Sequence, residues 1–169
     1  MAKLNEIKQI VVGVDGSEHA AAALDWAIGL ASRTGAHIVA VHALHLPPVY
    51  GVSGYEPLLP LDPEWQAEMK RLFEDEWCSP LRAAAVPFSR VFTEGRPASV
   101  IADAAERVDA DLVVVGRRGR GSLTELLLGS VSHELSHHCK RPVVLISRQA
   151  AAGAESAARE ATASGVASA

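Results

Sequence analysis

Glycine residues and a serine follow one apolar run in the C-terminal half of the chain. The run Leu112–Val115 predicts a buried strand, and Gly116 closes it. Gly119 follows after two residues, and Gly129 and Ser130 follow after nine more. Glycines at the end of a strand let the main chain approach a ligand closely, and the free N–H groups at the start of a helix can bind an anion. The spacing therefore predicts a phosphate-binding loop.

Two common phosphate loops do not fit this segment. A Walker A loop needs Lys and then Ser or Thr after its last glycine, and the segment contains no Lys. The dinucleotide fingerprint needs three close glycines after the first strand of a βαβ unit, whereas these glycines come late and are spaced differently. Positive charge comes instead from Arg117, Arg118 and Arg120.

Strands and helices alternate along the chain. Strands are predicted at about Gln9–Val14, His37–Leu44, Phe88–Thr93, Leu112–Gly116 and Val143–Ile146. Helices are predicted at about Ser17–Thr34, Pro63–Leu81, Pro97–Val108 and Ser130–Cys139. Such alternation is typical of a single-domain α/β fold, in which helices cover both faces of a doubly wound, Rossmann-like parallel sheet.

The glycine spacing G-x2-G-x9-G-[S/T] resembles the ATP-binding branch of the universal stress protein family. The resemblance covers roughly the first 147 residues, because Ile10–Ser17 (IVVGVDGS) looks like the first strand and turn of that family and His138–Ile146 (HCKRPVVLI) looks like its last strand. It implies a five-stranded sheet in the order 3-2-1-4-5. Ligands of such sheets bind where the strand order reverses, which is here between strands 1 and 4.

The resemblance also implies which residues contact ATP. Main-chain N–H groups of the loop, of Ser130 and of Val131 would hold the phosphates, and the main chain of Val41 would meet adenine. Arg117 stands where the family usually has a small residue, so it either covers the phosphates or points into solvent. The predicted ATP-binding residues are Gly13, Val14, Asp15, Val41, Gly116, Arg117, Arg118, Gly119, Gly129, Ser130 and Val131.

Asp15, at the end of the first strand, has two interpretations. It could cap the helix that starts near Ser17. It could instead contact the ligand. A carboxylate beside phosphates is unfavourable unless it binds a divalent cation or accepts a hydrogen bond from a ribose hydroxyl, so either contact would explain its position. We therefore expect ATP with Mg²⁺ and take Asp15 as the metal-binding residue. The pair His133 and His137 has a spacing that suits a transition metal, but a solvated helix face explains it equally well.

Composition and charge argue against several classes of protein. The chain has 169 residues, 49% of them hydrophobic, and a formal net charge of −4, which argues against a general nucleic-acid binder. No apolar run reaches membrane-spanning length. Cys78 and Cys139 form no recognisable disulfide framework, so we expect a cytoplasmic protein.

Residues 1–147 are predicted to form the nucleotide-binding domain, and the Ala-, Ser- and Gly-rich tail 148–169 is expected to be disordered or a frayed or partner-docked helix.

These features favour a regulatory ATP-binding protein with slow or no hydrolysis, since no catalytic motif or general base is apparent. One alternative is an adenylate-handling enzyme on a related fold, and another is a nucleotide-free dimeric interaction domain. The edge strand Val143–Ile146 could pair with a second copy, and the family commonly dimerises there, so we predict a homodimer. We predict no nucleic-acid or membrane partner.

Overall fold

The sheet has five parallel strands in the order predicted from the sequence. The structure is a computed structural model that describes residues 7–45, 62–119 and 128–147. Within those residues the strands are β1 Gln9–Gly13, β2 His37–Leu44, β3 Phe88–Glu94, β4 Leu112–Gly116 and β5 Val143–Ile146. All neighbours pair in parallel, in the order β3-β2-β1-β4-β5. The predicted doubly wound α/β fold is confirmed.

Helices cover both faces of the sheet. They are α1 Glu18–Thr34, α2 Pro63–Arg71, α3 Ser79–Ala83, α4 Pro97–Arg107 and α5 Ser130–His138. Side chains of a strand alternate between the two faces, so Ile10 and Val12 of β1 join a buried cluster with α1, while Val11 joins another with α4. Because both faces are buried, the strands appear in the sequence as almost continuous apolar runs.

Helix α1 begins and ends at the residues that its sequence predicts. Ser17 is the N-cap, and its hydroxyl accepts a hydrogen bond from Ala20 N–H at 3.2 Å. Gly35 follows the last turn with φ 73°, a conformation that glycine adopts without strain, and its N–H donates to the Ala31 carbonyl at 2.8 Å. The helix cap that we considered for Asp15 therefore belongs to Ser17.

The helix expected over Pro63–Leu81 is not continuous. Helix α2 runs into a π-helical turn at Leu72–Trp77, and α3 begins after Cys78. Pro80 explains the break, because proline lacks an N–H group and its ring would collide with the carbonyl of Glu76 in a continuous α-helix. The widened turn carries Phe73 and Trp77 towards the sheet, where both rings lie beside His42 of β2.

Two predictions concern residues outside the described ranges. They are the positive charge from Arg120, within the segment 120–127, and the tail 148–169. These predictions, and the domain boundary at residue 147, stay predictions. In the part of the chain that the structure describes, no helix combines the length and the apolar character needed to cross a membrane.

Candidate functional site

Strand β1 ends earlier than both of its neighbours. Its last pair with β2 joins Gly13 to Val41, and β2 continues beyond that pair. On the other side Val12 pairs with Val114, and β4 also continues further. The ends of β2 and β4 therefore stand above β1 on either side and leave a notch between them. This notch lies where the strand order reverses, the usual ligand position in such sheets.

Asp15 and Gly119 meet at the notch. A Cβ atom on residue 119 would lie 2.6 Å from Asp15 Oδ2, closer than non-bonded atoms approach, so a larger residue here would force the Asp15 carboxylate to move. Asp15 Oδ1 accepts a hydrogen bond from Ser17 N–H at 2.9 Å, which orients the carboxylate from the start of α1. The structure thus brings the end of β1 and the glycine loop into direct contact.

The base of the glycine loop is closed by hydrogen bonds to the main chain of Arg117. Its carbonyl accepts from Gly129 N–H at 3.0 Å and from Ser132 Oγ at 2.8 Å, while its N–H donates to the Ile146 carbonyl in β5 at 2.8 Å. Ser132 is 1% exposed and had no predicted role. The sequence feature that could have indicated this role is a serine in the first turn of a helix, three residues after a glycine N-cap. These bonds fix the start of α5 relative to the end of β4.

Main-chain donors are available at the start of α5. Gly129 is its N-cap and provides no side-chain cap, and the first hydrogen bond of the helix runs from His133 N–H to the Gly129 carbonyl at 2.9 Å. The N–H groups of Ser130 and Val131 precede that bond and can therefore bind an anion. A Cβ on Gly129 would lie 3.1 Å from Arg118 Cα, so the loop passes directly beside this helix start.

Two of the predicted site glycines have a packing role. A Cβ on Gly116 would lie 2.7 Å from the main-chain carbon of His19, so glycine allows α1 to pack against the end of β4. A Cβ on Gly13 would lie 2.8 Å from Ile101 Cδ1 of α4 and 3.0 Å from Val115 Cγ1. Helix packing by itself is a sufficient reason for glycine at position 116, whereas at position 13 the neighbouring side chains could shift.

Arg117 and Arg118 are both half-buried. The Nε–H of Arg117 is buried and has no hydrogen-bond partner among the described residues. Leaving a buried donor unpaired costs about 1–3 kcal/mol, so an anion that accepted a hydrogen bond from Arg117 would remove this penalty. Of the two orientations considered for Arg117, full exposure to solvent does not describe this side chain.

Val14 and Val41 are buried beneath the notch, with exposures of 4% and 1%. The Val14 N–H donates to the Val41 carbonyl at 2.9 Å. Contact between the Val41 main chain and adenine stays a prediction. The next residue, His42, is 8% exposed, and its Nδ1 lies 2.7 Å from the Val14 carbonyl oxygen. The sequence analysis assigned His42 no role, although a histidine inside an apolar strand was a usable signal.

Asp15 suits a metal ion that arrives together with a ligand. In the part of the chain that is described, no group of three or more His, Cys, Asp or Glu side chains could hold a metal ion. Mg²⁺ usually binds one or two carboxylates together with substrate phosphates and water, so one aspartate beside a phosphate is an appropriate donor set. The rings of His133 and His137 lie 4.6 Å apart between centroids, but they belong to no such group of three.

The fold and the notch define a class of Rossmann-like α/β proteins with a glycine loop at the point of strand reversal. A model of the universal stress protein family matches residues 6–147. The chain belongs to this family, which confirms the resemblance found in the sequence.

Curated relatives include a universal stress protein from Thermus aquaticus and the universal stress protein Rv2005c from Mycobacterium tuberculosis. The first is 33% identical over 147 residues, which cover 82% of this chain and 98% of the relative. The second is 37% identical over 136 residues, which cover 80% of this chain but 44% of the relative. The chain thus spans less than half the length of the mycobacterial protein.

Three similar solved structures are complexes with nucleotides. A universal stress protein in complex with cAMP has a TM-score of 0.64 and 24% identity, covering 85% of this chain and 98% of that one. A protein from Archaeoglobus fulgidus in complex with dAMP has a TM-score of 0.60 and 22% identity, covering 82% and 97%. A family member from Arabidopsis thaliana with AMP bound has a TM-score of 0.57 and 24% identity, covering 83% and 92%. At these identities the similarity establishes the fold.

Proposed function

We propose that this protein binds ATP together with Mg²⁺ in the notch between β1 and β4. The observation that carries the proposal is the contact of Asp15 with Gly119. A carboxylate suited to Mg²⁺ thus lies against Gly119, which has no side chain in the way of a phosphate. The complexes of similar structures with cAMP, dAMP and AMP support a nucleotide as the ligand.

The phosphates bind at the start of α5 and at the loop. The N–H groups of Ser130 and Val131 donate to phosphate oxygens, the Ser130 hydroxyl assists, and Arg117 donates from Nε. Hydrogen bonds to charged groups contribute about 1.5–3 kcal/mol each, so these individual donors dominate over the helix dipole, which contributes about 0.3–1 kcal/mol at an exposed helix end.

The rest of the nucleotide lies over the end of β1. Asp15 coordinates Mg²⁺ or accepts from a ribose hydroxyl, and the segment Gly13–Val14 lies alongside the ligand. The main chain of Val41 meets adenine. These assignments rest on the family resemblance and on the position of the residues beneath the notch.

The bound nucleotide acts as a signal in a stress or signalling response, with slow or no hydrolysis. The carboxylate at the notch, Asp15, is already held by Ser17 N–H and is assigned to the metal, and the sequence contains no recognisable catalytic motif that would activate water. An adenylate-handling enzyme is the alternative. Fast release of phosphate or of AMP by the purified protein, measured under saturating MgATP, would favour that enzyme.

The protein also forms a homodimer through β5 and acts in the cytoplasm. β5 is the last strand at one side of the described sheet, which leaves its outer edge available for pairing. Cys78 and Cys139 are both free, which suits a reducing compartment.

The binding proposal is tested with a matched pair of glycine substitutions. Gly119→Ala adds a methyl group 2.6 Å from Asp15 Oδ2, whereas Gly29→Ala adds the same group in α1, where the nearest atom is Arg33 Nη2 at 3.8 Å. We expect the wild type and Gly29→Ala to bind MgATP, and Gly119→Ala to bind about tenfold more weakly or worse because Asp15 must move. Isothermal titration calorimetry measures all three affinities.

Two outcomes contradict the proposal. The wild type could bind no MgATP and release no nucleotide on denaturation, in which case the nucleotide-free interaction domain is the better description. Alternatively, Gly119→Ala could bind as tightly as Gly29→Ala, and then the phosphate site has been misplaced. Circular dichroism of both variants controls for loss of folding.

A further inference from the structure

His42 lies on β2 just beyond the last residue pair between β2 and β1. Its side chain is on the same face of the sheet as α1 and is 8% exposed. The ring atom Nδ1 lies 2.7 Å from the carbonyl oxygen of Val14. A carbonyl can only accept a hydrogen bond, so Nδ1 carries the hydrogen and donates it to Val14.

This hydrogen bond extends the pairing of the two strands by a side chain. The Val14 N–H donates to the Val41 carbonyl at 2.9 Å, as it would in a regular parallel ladder. The Val14 carbonyl is held by the imidazole of His42. Both polar main-chain groups of Val14 are thus fixed by β2 although β1 has already ended. The peptide between Val14 and Asp15 is thereby oriented at the floor of the notch.

The ring of His42 is held in turn by three aromatic side chains. The centroids of Phe73, Trp77 and Phe92 lie 5.7, 5.2 and 5.6 Å from that of His42, with Phe92 stacked and Trp77 at its edge. Rings at these distances restrict the orientation of the imidazole. The donor at Nδ1 is therefore fixed before any ligand binds.

Two of these aromatic residues come from the π-helical turn Leu72–Trp77. Its carbonyls are bound by arginines from outside the turn. Arg82 donates to Glu74 O at 2.8 Å and to Asp75 O at 3.0 Å, and Arg90 donates to Glu74 O at 3.2 Å. Single π-helical turns occur frequently at functional sites, and this one presents Phe73 and Trp77 to the same imidazole.

We propose that His42 is a positioning residue of the nucleotide site, which acts through the Val14–Asp15 peptide rather than by touching the ligand. This inference rests on the proposed ATP site. The hydrogen bond from Nδ1 fixes the Val14 carbonyl, the next residue carries the carboxylate, and that carboxylate lies against Gly119. An apolar residue could fill the same buried space, but it would leave the Val14 carbonyl without this donor.

The test compares His42→Leu with His42→Asn. Both variants lose the ring and its aromatic contacts, but the asparagine amide nitrogen is as many bonds from the main chain as Nδ1 and can donate to Val14. We expect His42→Leu to bind MgATP about tenfold more weakly than the wild type, and His42→Asn to stay within about threefold. The melting temperature should fall by a similar amount in both variants, because both lose the packing of the ring.

Nuclear magnetic resonance gives a readout that packing alone would not change. Long-range ¹H–¹⁵N correlation should show the hydrogen of wild-type His42 on Nδ1. The amide ¹⁵N shift of Asp15, which reports hydrogen bonding of the preceding carbonyl, should move in His42→Leu and return towards the wild-type value in His42→Asn.

Failure of this inference can be told apart from failure of the proposed function. If the wild type binds no MgATP, the ATP site itself is overturned, and with it the role of His42 towards that ligand. If the wild type binds but the leucine and asparagine variants have equal affinity, only the role of His42 is overturned. A hydrogen on Nε2 but not Nδ1 in the wild type overturns it as well, even if neither variant folds.

Discussion

The Nε–H group of Arg117 is buried near the base of the glycine loop and has no hydrogen-bond partner within the described residues. An unpaired buried donor destabilises the protein by about 1–3 kcal/mol. A phosphate oxygen of the ligand would satisfy this donor. We therefore expect this position to cost some stability in the nucleotide-free protein and to favour binding of an anion.

Replacing Arg117 by methionine should separate these two effects. The methionine keeps an apolar stem but removes the donor and the charge, so the MgATP affinity should fall about tenfold or more while adenosine binding changes little. The melting temperature of the nucleotide-free variant should not fall. Calorimetry with ATP and with adenosine, together with thermal unfolding, measures both effects.

The control for this prediction is Arg107→Met. Arg107 is exposed in the last turn of α4, where its Nε bonds to the Asp103 carbonyl at 3.3 Å. The same change in charge at that position should leave the ATP affinity unaltered. An equal loss of adenosine binding in Arg117→Met, or a loss of ATP binding in Arg107→Met, would contradict a specific contact between Arg117 and phosphate.

At the scale of elements, Gly116 and Gly119 belong to one motif but serve different contacts. Gly116 faces the main chain of α1, whereas Gly119 faces a carboxylate that can change its rotamer. We expect Gly116→Ala to lower the free energy of unfolding by about 1–3 kcal/mol, because the rigid helix must be displaced. Urea unfolding measures this, with Gly29→Ala as the reference for adding a methyl group without a close contact.

Comparing the two alanine variants separates an effect on ATP affinity from an effect on stability. Gly119→Ala should lose ATP affinity with little loss of stability, while the main effect of Gly116→Ala is on stability. If Gly116→Ala unfolds at the same urea concentration as Gly29→Ala, the packing explanation for this glycine is wrong.

The alternation of apolar runs with helical segments was sufficient to predict the strands and most helix ends from sequence. The spacing of Gly116, Gly119 and Gly129 with the family resemblance also indicated where the loop lies. Contacts between distant positions could not be predicted in this way. His42 reaches Val14 only because β1 ends at the level of Val41, and the break before α3 depends on how a π-helical turn accommodates Pro80. These depend on register and packing, which a single sequence does not specify.

At the scale of the whole molecule, Arg117 connects the proposed nucleotide site to β5, the last strand at one side of the described sheet. The carbonyl of Arg117 holds the start of α5 through Gly129, and its N–H holds the end of β5 through Ile146. If phosphate binding changed the loop, the change would act directly on the strand that we propose as the dimer interface. We therefore expect bound nucleotide to alter the association of two copies.

The proposed interface can be tested by removing one outward hydrogen-bond donor. Val113 N–H donates to Pro142 O and Arg117 N–H donates to Ile146 O, so alternate residues of β5 direct their main-chain groups towards β4. The main-chain groups of Leu145 therefore face the outer edge of the described sheet. Leu145→Pro removes an outward N–H that strand pairing with a second copy needs, while the ladder with β4 is kept. We expect wild type and Leu145→Ala to be dimers, and Leu145→Pro to be a monomer, by size-exclusion chromatography with light scattering. Both variants lose the leucine side chain, so they differ at the main chain, where proline replaces the outward N–H by its ring. A dimeric, folded Leu145→Pro would place the interface elsewhere.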